Sequence, residues 1–341
     1  MQRCFELAIL GAGSVAPNPL VGSVIVHNHK IIGEGYHQKL GGPHAEVNAI
    51  SAVKDKALLS EATIYVNLEP CAHYGKTPPC ADLIVSHKFK RVVISNRDPF
   101  EQVDGKGIER LLNAGIEVKS GVLEQEGRWL NRRFFTFHEK QRPYVILKFA
   151  QTIDSYLDSF RTEDDHEKPL KITGDEMNRM VHKWRSEEAS ILVGRNTVLL
   201  DNPTLTTRLW PGKNPLRLVI DPELQIKNDK TVMSDGGHTW IFNGIKTDYC
   251  ENNLCYIQIN DAREFHAEIL SYLHKSNIQS VIIEGGAATL ARCIEAEVWD
   301  EARIITGQTR IGEGISAPDI NGELLSFESI GNDFLQVYLP A

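Results

Sequence analysis

Short apolar runs alternate with amphipathic stretches along the first 140 residues. The runs are rich in β-branched residues and bounded by polar turns, as strands are, whereas the longer stretches repeat apolar residues at the spacing of a helix face. We predict helices over residues 1–12, from 44 past 49, 83–87, 107–114 and 123–137. We predict strands over residues 21–26, 31–35, 62–66, 91–95 and 116–119. The first two strands flank a turn and form a hairpin, and the alternation that follows predicts a sheet sandwiched by helices.

A second α/β series begins after a charged segment, residues 138–143, that ends in proline. We place a domain boundary there, with domains over 1–142 and 143–341, because a chain of 341 residues is long enough for two cores. The predicted strands are residues 144–150, 189–193, 216–220, 239–242, 280–283 and 302–306. The predicted helices are residues 175–185, 264–275 and 287–296, and the predicted loops are 159–170 and 203–215.

Composition places the chain among ordinary globular proteins, with 42% hydrophobic and 24% charged residues. The formal net charge of −8 argues against a nucleic-acid partner, which would require a basic face, although a local basic patch could still hold a phosphate. No apolar stretch approaches the roughly 18–20 residues that span a bilayer, and the first ten residues lack the pattern of a secretory leader. Six scattered cysteines predict free thiols in a reducing cytoplasm.

One histidine and two cysteines form the clearest chemical motif. Glu46 comes two residues after His44, Cys71 follows a proline, and Cys80 comes nine residues later. Nitrogen and sulfur ligands suit zinc, and three of them leave the fourth tetrahedral position for a water whose pKa zinc lowers from nearly 16 toward about 7. Glu46 is placed to carry the proton, as in the H-x-E…P-C-x-x-C layout of zinc nucleobase deaminases. A closed structural site, the alternative, would normally have four ligands.

The residues around this motif resemble the bifunctional riboflavin-biosynthesis deaminase/reductase family. The resemblance lies in residues 17–22 (PNPLVG), 33–37 (GEGYH), 44–46 (HAE) and 68–80 (LEPCAHYGKTPPC). The last segment separates the chain from cytidine and tRNA-adenosine deaminases, whose two cysteines are closer together. The resemblance implies an α/β protein with a cytidine-deaminase-like three-layer αβα domain followed by a dihydrofolate-reductase-like α/β domain.

The resemblance also implies a small-molecule substrate, 2,5-diamino-6-ribosylamino-4(3H)-pyrimidinone 5′-phosphate. Zinc-bound hydroxide would attack the ring carbon that bears the 2-amino group, and Glu46 would pass the proton to the departing ammonia. Asn18, His37, Lys76 and Asp98 fall where the family contacts this substrate. Independently of the family, Asn18 lies between two prolines as a rigidly held amide, and Lys76 can bind a phosphate. Each of the four residues also has a structural alternative to substrate binding. Asn18 could be a turn residue, His37 a surface residue, Lys76 a solvated side chain and Asp98 a helix cap.

The second half carries a weaker motif, in which an apolar strand runs into Glu284-Gly285-Gly286 and then a helix. Backbone amides at such a turn can bind a phosphate, although the same turn also occurs as ordinary packing. The resemblance implies an NADPH-dependent reductase that opens the ribosyl carbon to a ribityl chain. By that matching, NADPH would contact Ala150, Thr197, Asp201, Gly286, Ala287, Ala288, Thr289, Leu290, Ala291 and Arg292. The sugar phosphate would contact Arg185, Leu205, Arg208 and Glu284.

Three residues depart from the family pattern. Ser155 stands where a glycine is usual, Lys171 where an aromatic residue is common, and Pro222 where a serine is common. Lys171 could alter how the nicotinamide is held or could pair with a phosphate. Family behaviour further implies a homodimer or higher homo-oligomer through the C-terminal domain.

Two other functions stay open at this point. One is a zinc deaminase of another nucleobase or nucleoside with a non-catalytic dimerisation domain, against which the acidic charge and the long Cys–Cys spacing both count. The other is a non-catalytic protein with structural zinc. Loss of activity on metal removal with the fold intact would count against it.

Overall fold

Two units divide the chain, Met1–Gln141 and Arg142–Ala341. The computed structural model describes residues 1–74, 78–162, 169–260 and 265–341. Each unit has a sheet with helices packed against it. Within the described ranges, none of the helices combines the length and the apolar character needed to cross a membrane.

The first unit contains a five-stranded sheet. Its strands are β1 (Gly22–His27), β2 (Lys30–Tyr36), β3 (Thr63–Leu68), β4 (Arg91–Asn96) and β5 (Glu117–Lys119). Its helices are α1 (Gln2–Ala8), α2 (Ala45–Ala52), α3 (Cys80–Ser86), α4 (Lys106–Asn113), α5 (Glu124–Leu130) and α6 (Arg132–Glu139). The spatial order is β2-β1-β3-β4-β5, antiparallel up to β3 and parallel from there. Strands β3 and β4 are almost wholly buried, which is why they read as continuous apolar runs.

The predicted elements of this unit are confirmed to within a few residues, with two exceptions. The first helix ends at Ala8 and continues only as a short 3₁₀ turn. The predicted helix over residues 123–137 is wrong, because α5 and α6 are separated at Asn131. The Asn131 side chain accepts from the Leu20 N–H at 2.8 Å and donates to the Leu20 carbonyl at 2.9 Å. This buried amide therefore fixes the helix break against the loop that precedes β1.

The second unit contains a ten-stranded sheet and a two-stranded one. Its strands are β6 (Tyr144–Gln151), β7 (Tyr156–Asp158), β8 (Ser190–Gly194), β9 (Leu216–Ile220), β10 (Thr239–Asn243), β11 (Tyr249–Glu251), β12 (Leu254–Gln258), β13 (Ser280–Glu284), β14 (Glu301–Thr306), β15 (Ile315–Ser316), β16 (Gly322–Ile330) and β17 (Asp333–Pro340). Its helices are α7 (Asp175–Glu187), α8 (Arg195–Asp201), α9 (Thr231–Ser234), α10 (Phe265–Lys275) and α11 (Ala287–Glu295).

The large sheet has the order β11-β12-β10-β9-β8-β13-β6-β14-β17-β16, and β7 pairs with β15 separately. The seven strands from β12 to β14 in this order run parallel to one another. One end of the sheet is extended by the antiparallel strand β11, and the other by the antiparallel hairpin of β17 and β16. All six predicted strands of this half are confirmed, and the three predicted helices form, although Glu264 lies outside the described residues. Eight further elements of this unit were not predicted from the sequence, namely β7, β11, β12, β15, β16, β17, α8 and α9.

The prediction that all cysteines are free thiols is wrong for one pair. Cys250 and Cys255 form a disulfide across the antiparallel β11–β12 pair, in which they face each other directly. The other four cysteines are free. Burial raises the pKa of the Cys4 and Cys293 thiols to about 12, so both are inert core residues.

Replacing Ser155 with glycine should stabilise the second unit. Ser155 has a φ of 66°, in the left-handed region that only glycine adopts without cost, which accounts for the glycine usual at this position. We expect Ser155→Gly to raise the free energy of unfolding by about 0.5–1 kcal/mol. Tryptophan fluorescence during urea denaturation would measure it, because Trp184, Trp210, Trp240 and Trp299 lie in this unit.

Ser316 provides the matched control, since it pairs with Tyr156 in the adjoining β15–β7 ladder and is not among the residues with positive φ. Ser316→Gly should leave stability unchanged or lower it. A Ser155→Gly protein no more stable than the wild type would contradict the argument from backbone conformation.

Candidate active sites

The three predicted zinc ligands converge in the first unit. His44 immediately precedes α2, Cys71 lies just beyond β3, and Cys80 begins α3. The His44 Nδ1 atom lies 3.6 Å from the Cys71 Sγ and 3.4 Å from the Cys80 Sγ, and all three ligand atoms lie within 4.8 Å of one another. Tetrahedral zinc with Zn–N near 2.0 Å and Zn–S near 2.3 Å would separate its ligand atoms by roughly 3.5–3.8 Å. The donor set and its spacing therefore fit a zinc ion.

Hydrogen bonds around the cluster favour a thiolate at Cys71. The Cys80 backbone N–H donates to the Cys71 Sγ at 3.3 Å. The Cys80 thiol and the His44 ring also stabilise the charged sulfur and hold the pKa of Cys71 well below its ordinary value. Since zinc binds the thiolate rather than the thiol, one ligand is already in its binding form.

Glu46 is buried in the first turn of α2, two residues beyond the histidine ligand. Burial raises the pKa of Glu46 to about 7. A carboxyl group that titrates near neutrality can both accept and release a proton, which a general acid/base must do.

The structure brings Asn18 and His37 together beside the zinc ligands. The His37 Nδ1–H donates to the Pro43 carbonyl at 3.0 Å, so Nε2 is the free acceptor of the neutral ring, and the Asn18 Nδ2 donates to it at 3.0 Å. Burial lowers the pKa of His37, which favours this neutral form. The His37 ring centroid lies 5.5 Å from that of His44.

Of the other two predicted substrate residues, Asp98 lies within the described residues and Lys76 does not. Asp98 is buried just beyond β4, its Oδ1 accepts from the Phe100 N–H at 2.8 Å, and burial raises its pKa to about 7. Lys76 lies in residues 75–77, outside the described residues, so its phosphate contact stays a prediction.

The motif spacing gives no hint of the role of Glu69, a buried residue two positions before the first cysteine ligand. Its Oε2 accepts from the N–H groups of Asp98 at 3.3 Å and Gly105 at 3.0 Å. Its Oε1 accepts from those of Gly107 at 2.9 Å and Ile108 at 3.1 Å. One carboxylate thus satisfies three N–H groups at the start of α4 and joins the metal-binding loop to the Asp98 loop. A Glu directly after a buried strand was the available signal.

In the second unit, a cavity of about 810 Å³ lies at the carboxyl ends of β6, β8, β9 and β13. These strands are parallel, so their ends meet at one edge of the sheet, where such folds bind ligands. The predicted cofactor residues that line it are Ala150, Thr197, Asp201, Gly286, Ala287, Ala288, Thr289 and Arg292. The predicted sugar-phosphate residues that line it are Arg185, Leu205 and Glu284.

Three predicted residues lie away from this lining. Leu290 is fully buried in the core, and Ala291 is exposed on α11. Arg208 is exposed and its Nη1 donates to the Thr204 Oγ1 at 3.0 Å. Their ligand contacts stay predictions.

Two successive glycines shape the cavity where β13 meets α11. Gly285 has a φ of 91° and Gly286 a φ of 72°, and Gly286 caps the helix. A β-carbon on Gly286 would lie 3.4 Å from the Thr289 Oγ1, which is an ordinary contact, so the positive φ rather than crowding favours glycine here. Consecutive backbone amides at such a helix start form an anion-binding concavity.

A buried ion-pair network borders the same cavity. The Arg185 Nε and Nη2 donate to the two Glu284 oxygens at 3.0 and 2.6 Å, and the Lys148 Nζ lies 3.6 Å from Oε2. Burial opposes the charge on Glu284, but the two cations outweigh it and lower its pKa to about 2. Burial lowers the pKa of Lys148. Lys148 was not among the site residues predicted from the sequence.

The remaining family departures lie in different surroundings. Lys171 is 73% exposed, lies 3.3 Å from the Asp175 carboxylate and does not line the cavity. Pro222 does line it.

These features define a zinc-dependent deaminase domain joined to an NADPH-dependent reductase domain of the dihydrofolate-reductase type. Residues 1–96 match the model of the cytidine and deoxycytidylate deaminase zinc-binding region, and residues 143–335 match that of the RibD C-terminal domain. The chain belongs to the RibD family of bifunctional riboflavin-biosynthesis enzymes.

Curated relatives and solved structures of RibD proteins are similar to this protein over nearly its whole length. The riboflavin biosynthesis protein RibD of Aquifex aeolicus is 39% identical over 324 residues, covering 94% of this chain and 89% of the relative. The RibD of Bacillus amyloliquefaciens is 38% identical over 331 residues, covering 95% and 87%. The crystal structure of a diaminohydroxyphosphoribosylaminopyrimidine deaminase/5-amino-6-(5-phosphoribosylamino)uracil reductase from Thermotoga maritima is 34% identical, with a TM-score of 0.88 and coverage of 100% and 97%. Acinetobacter baumannii RibD gives a TM-score of 0.89 at 30% identity and the same coverage.

Proposed function

We propose that the chain catalyses two consecutive steps of riboflavin biosynthesis. The first unit hydrolyses the 2-amino group of 2,5-diamino-6-ribosylamino-4(3H)-pyrimidinone 5′-phosphate, and ammonia leaves. The second unit reduces the ribosyl group of the product with NADPH and gives 5-amino-6-ribitylamino-uracil 5′-phosphate. The observation that carries the proposal is the convergence of His44, Cys71 and Cys80 beside buried Glu46, in a chain whose second half is a RibD reductase domain.

In the deaminase unit, bound zinc supplies an acidified water as the nucleophile. Glu46 accepts a proton from this water and delivers it to the departing amino group, and its burial keeps bulk solvent from competing. Asn18 has one amide hydrogen committed to His37, which leaves its carbonyl oxygen and second hydrogen to bind the edge of the pyrimidine. Asp98 is held by its own turn and binds a polar group of the substrate, and Lys76 binds the phosphate.

In the reductase unit, bound NADPH supplies the hydride. With NADPH bound, the hydride would go to the ribosyl C1′ and a proton to the ring oxygen that leaves C1′, so that the sugar ring opens. The Gly285-Gly286 turn binds the pyrophosphate of the cofactor through backbone amides. Glu284 keeps the two cations Arg185 and Lys148 at the cavity wall, where they bind the substrate phosphate.

We also propose that the chain forms a homodimer through its second unit. Strand β16 lies at one edge of the large sheet, and it exposes Leu324, Leu325 and Phe327 by 52%, 49% and 56%. Edge strands with exposed apolar side chains commonly pair with another chain. Sedimentation equilibrium would measure the oligomeric state. We place the enzyme in the cytoplasm, because four of its cysteines are free and two of these, Cys71 and Cys80, must stay reduced to bind zinc, although Cys250 and Cys255 are oxidised.

Product analysis with and without NADPH tests the proposed reactions. Incubated with the diaminopyrimidine phosphate alone, the purified enzyme should release one ammonia per substrate and leave the ribosyl group intact. With NADPH added, it should give the ribityl product and oxidise one NADPH for each. Ammonia release from cytidine or guanine but not from the pyrimidine phosphate would overturn the first assignment. Deamination without NADPH oxidation would assign the second unit to a non-catalytic dimerisation role.

A further inference from the structure

Five of the described residues that line the reductase cavity are cationic, namely Lys148, Arg161, Arg185, Arg195 and Arg292. Three of them are committed to buried or partly buried carboxylates of the protein. Lys148 and Arg185 share Glu284, as described above. The Arg161 side chain is only 4% exposed and is paired with two aspartates, Asp158 and Asp201. Withdrawing any of these cations would leave a carboxylate unpaired in a poorly solvated place, so each stays with its carboxylate when a ligand binds, and Arg185 and Lys148 contact the substrate phosphate only while they remain paired with Glu284.

Arg195 differs from them in its partner. Its Nη1 lies 3.1 Å from the Glu223 Oε2, and the Glu223 side chain is 64% exposed while that of Arg195 is 29% exposed. A pair with one largely exposed partner contributes little to stability, so an incoming anion can replace the carboxylate. Glu223 also accepts from the Gln225 Nε2 at 2.6 Å, so it keeps a hydrogen-bond partner when the guanidinium moves away.

Arg195 also lies in the right part of the cavity to bind a dinucleotide. It follows Gly194 at the end of β8, and a β-carbon on Gly194 would lie 2.9 Å from the Thr289 Oγ1 of α11. A β-carbon on Gly285 would lie 3.6 Å from the Thr197 Oγ1 of α8. The β8–α8 turn that carries Arg195 therefore packs directly beside the glycine turn to which the pyrophosphate was assigned.

We infer that Arg195 binds the 2′-phosphate of NADPH and that Glu223 occupies the same guanidinium when the cofactor is absent. This phosphate is the single difference between NADPH and NADH, and a guanidinium binds phosphate through two parallel hydrogen bonds. Glu223 weakens NADPH binding, because its negative charge lies beside the position of the 2′-phosphate. Arg195 thus sets the preference for NADPH, while the glycine turn binds the part that both dinucleotides share. The inference rests on the proposed reductase function.

Binding of NADP⁺, NAD⁺ and 2′,5′-ADP to the full-length enzyme, measured by calorimetry, tests the inference without the reaction. We expect Arg195→Ala to weaken NADP⁺ and 2′,5′-ADP by roughly tenfold or more and to leave NAD⁺ within about twofold. Arg195→Lys should restore part of the loss, because it keeps the charge without the bidentate geometry. Glu223→Gln should tighten NADP⁺ by a few-fold and leave NAD⁺ unchanged.

Arg292→Ala is the comparison variant, since Arg292 lies on α11 beyond the glycine turn and should affect NADP⁺ and NAD⁺ alike. Equal weakening of both dinucleotides by Arg195→Ala, or no change in either, would overturn the role of Arg195. Thermal unfolding should be near that of the wild type for Arg195→Ala, which separates lost binding from lost folding. Binding of neither dinucleotide by the wild type would instead overturn the reductase assignment and the inference with it.

Discussion

Glu46→Gln should abolish ammonia release from the diaminopyrimidine phosphate while the zinc content stays at the wild-type level. Glutamine matches glutamate in shape and fills the same buried position, but it cannot carry a proton between the water and the leaving amino group. General acid/base catalysis contributes about 10²–10⁴-fold, so we expect kcat/KM to fall by about 10³-fold. Deaminase activity would be measured by ammonia release and zinc content by metal analysis. Reductase activity, which should be unchanged, would be measured by NADPH oxidation with the deaminated substrate.

Glu61→Gln is the matched control for this substitution, because Glu61 lies in the same unit with its side chain 78% exposed. It should deaminate normally. Near-normal turnover by Glu46→Gln would remove the proposed proton carrier. Loss of zinc together with activity would make Glu46 a residue that holds the metal site rather than one that moves the proton.

Glu284→Gln should destabilise the second unit by about 3–5 kcal/mol at neutral pH and abolish the reductase activity. The substitution removes the carboxylate that Arg185 and Lys148 share and leaves two buried positive charges without their partner. Tryptophan fluorescence during urea denaturation would measure the change in stability, and NADPH oxidation the change in activity.

The stability difference between the wild type and Glu284→Gln should depend on pH with a definite sign. The pKa of Glu284 is lowered from 4.5 to about 2, so its carboxylate stabilises the folded state fully above pH 4.5 and loses this contribution as the pH falls toward 2. Glu223→Gln, which alters a carboxylate that is 64% exposed, should change stability by no more than about 0.5 kcal/mol. Equal stability of Glu284→Gln and the wild type at pH 7, or a difference independent of pH, would contradict the buried-network argument.

The zinc cluster could be predicted from the sequence because its chemistry is tightly constrained. Few arrangements place one histidine, two cysteines and a nearby glutamate around a single metal, and the order of strands and helices already sets their approximate positions. The buried strands of both sheets could be predicted for a similar reason. Strands such as β4 and β13, whose side chains are buried on both faces, leave uninterrupted apolar runs in the sequence.

The elements that escaped prediction lie at the margins of the second unit's sheet. Strands β11 and β16 occupy its two edges, and most of their side chains are exposed, so neither produces a clear apolar pattern. The Cys250–Cys255 disulfide was missed with them, because its formation depends on the pairing of β11 with β12. The shared carboxylate of Glu284 depends likewise on three elements far apart in the chain meeting at one point.

Glu69 carries a consequence for exchanging parts between deaminases. Its single carboxylate accepts hydrogen bonds from Asp98 and from three N–H groups at the start of α4, and a β-carbon on Gly107 would collide with the Pro70 carbonyl oxygen. The loop around Asp98 and the end of β3 that precedes the first cysteine ligand are therefore coupled, so that neither can change its conformation without the other. A specificity loop transplanted from another deaminase would seat properly only if the host keeps a glutamate before its Pro-Cys pair and the donor brings a glycine to meet it.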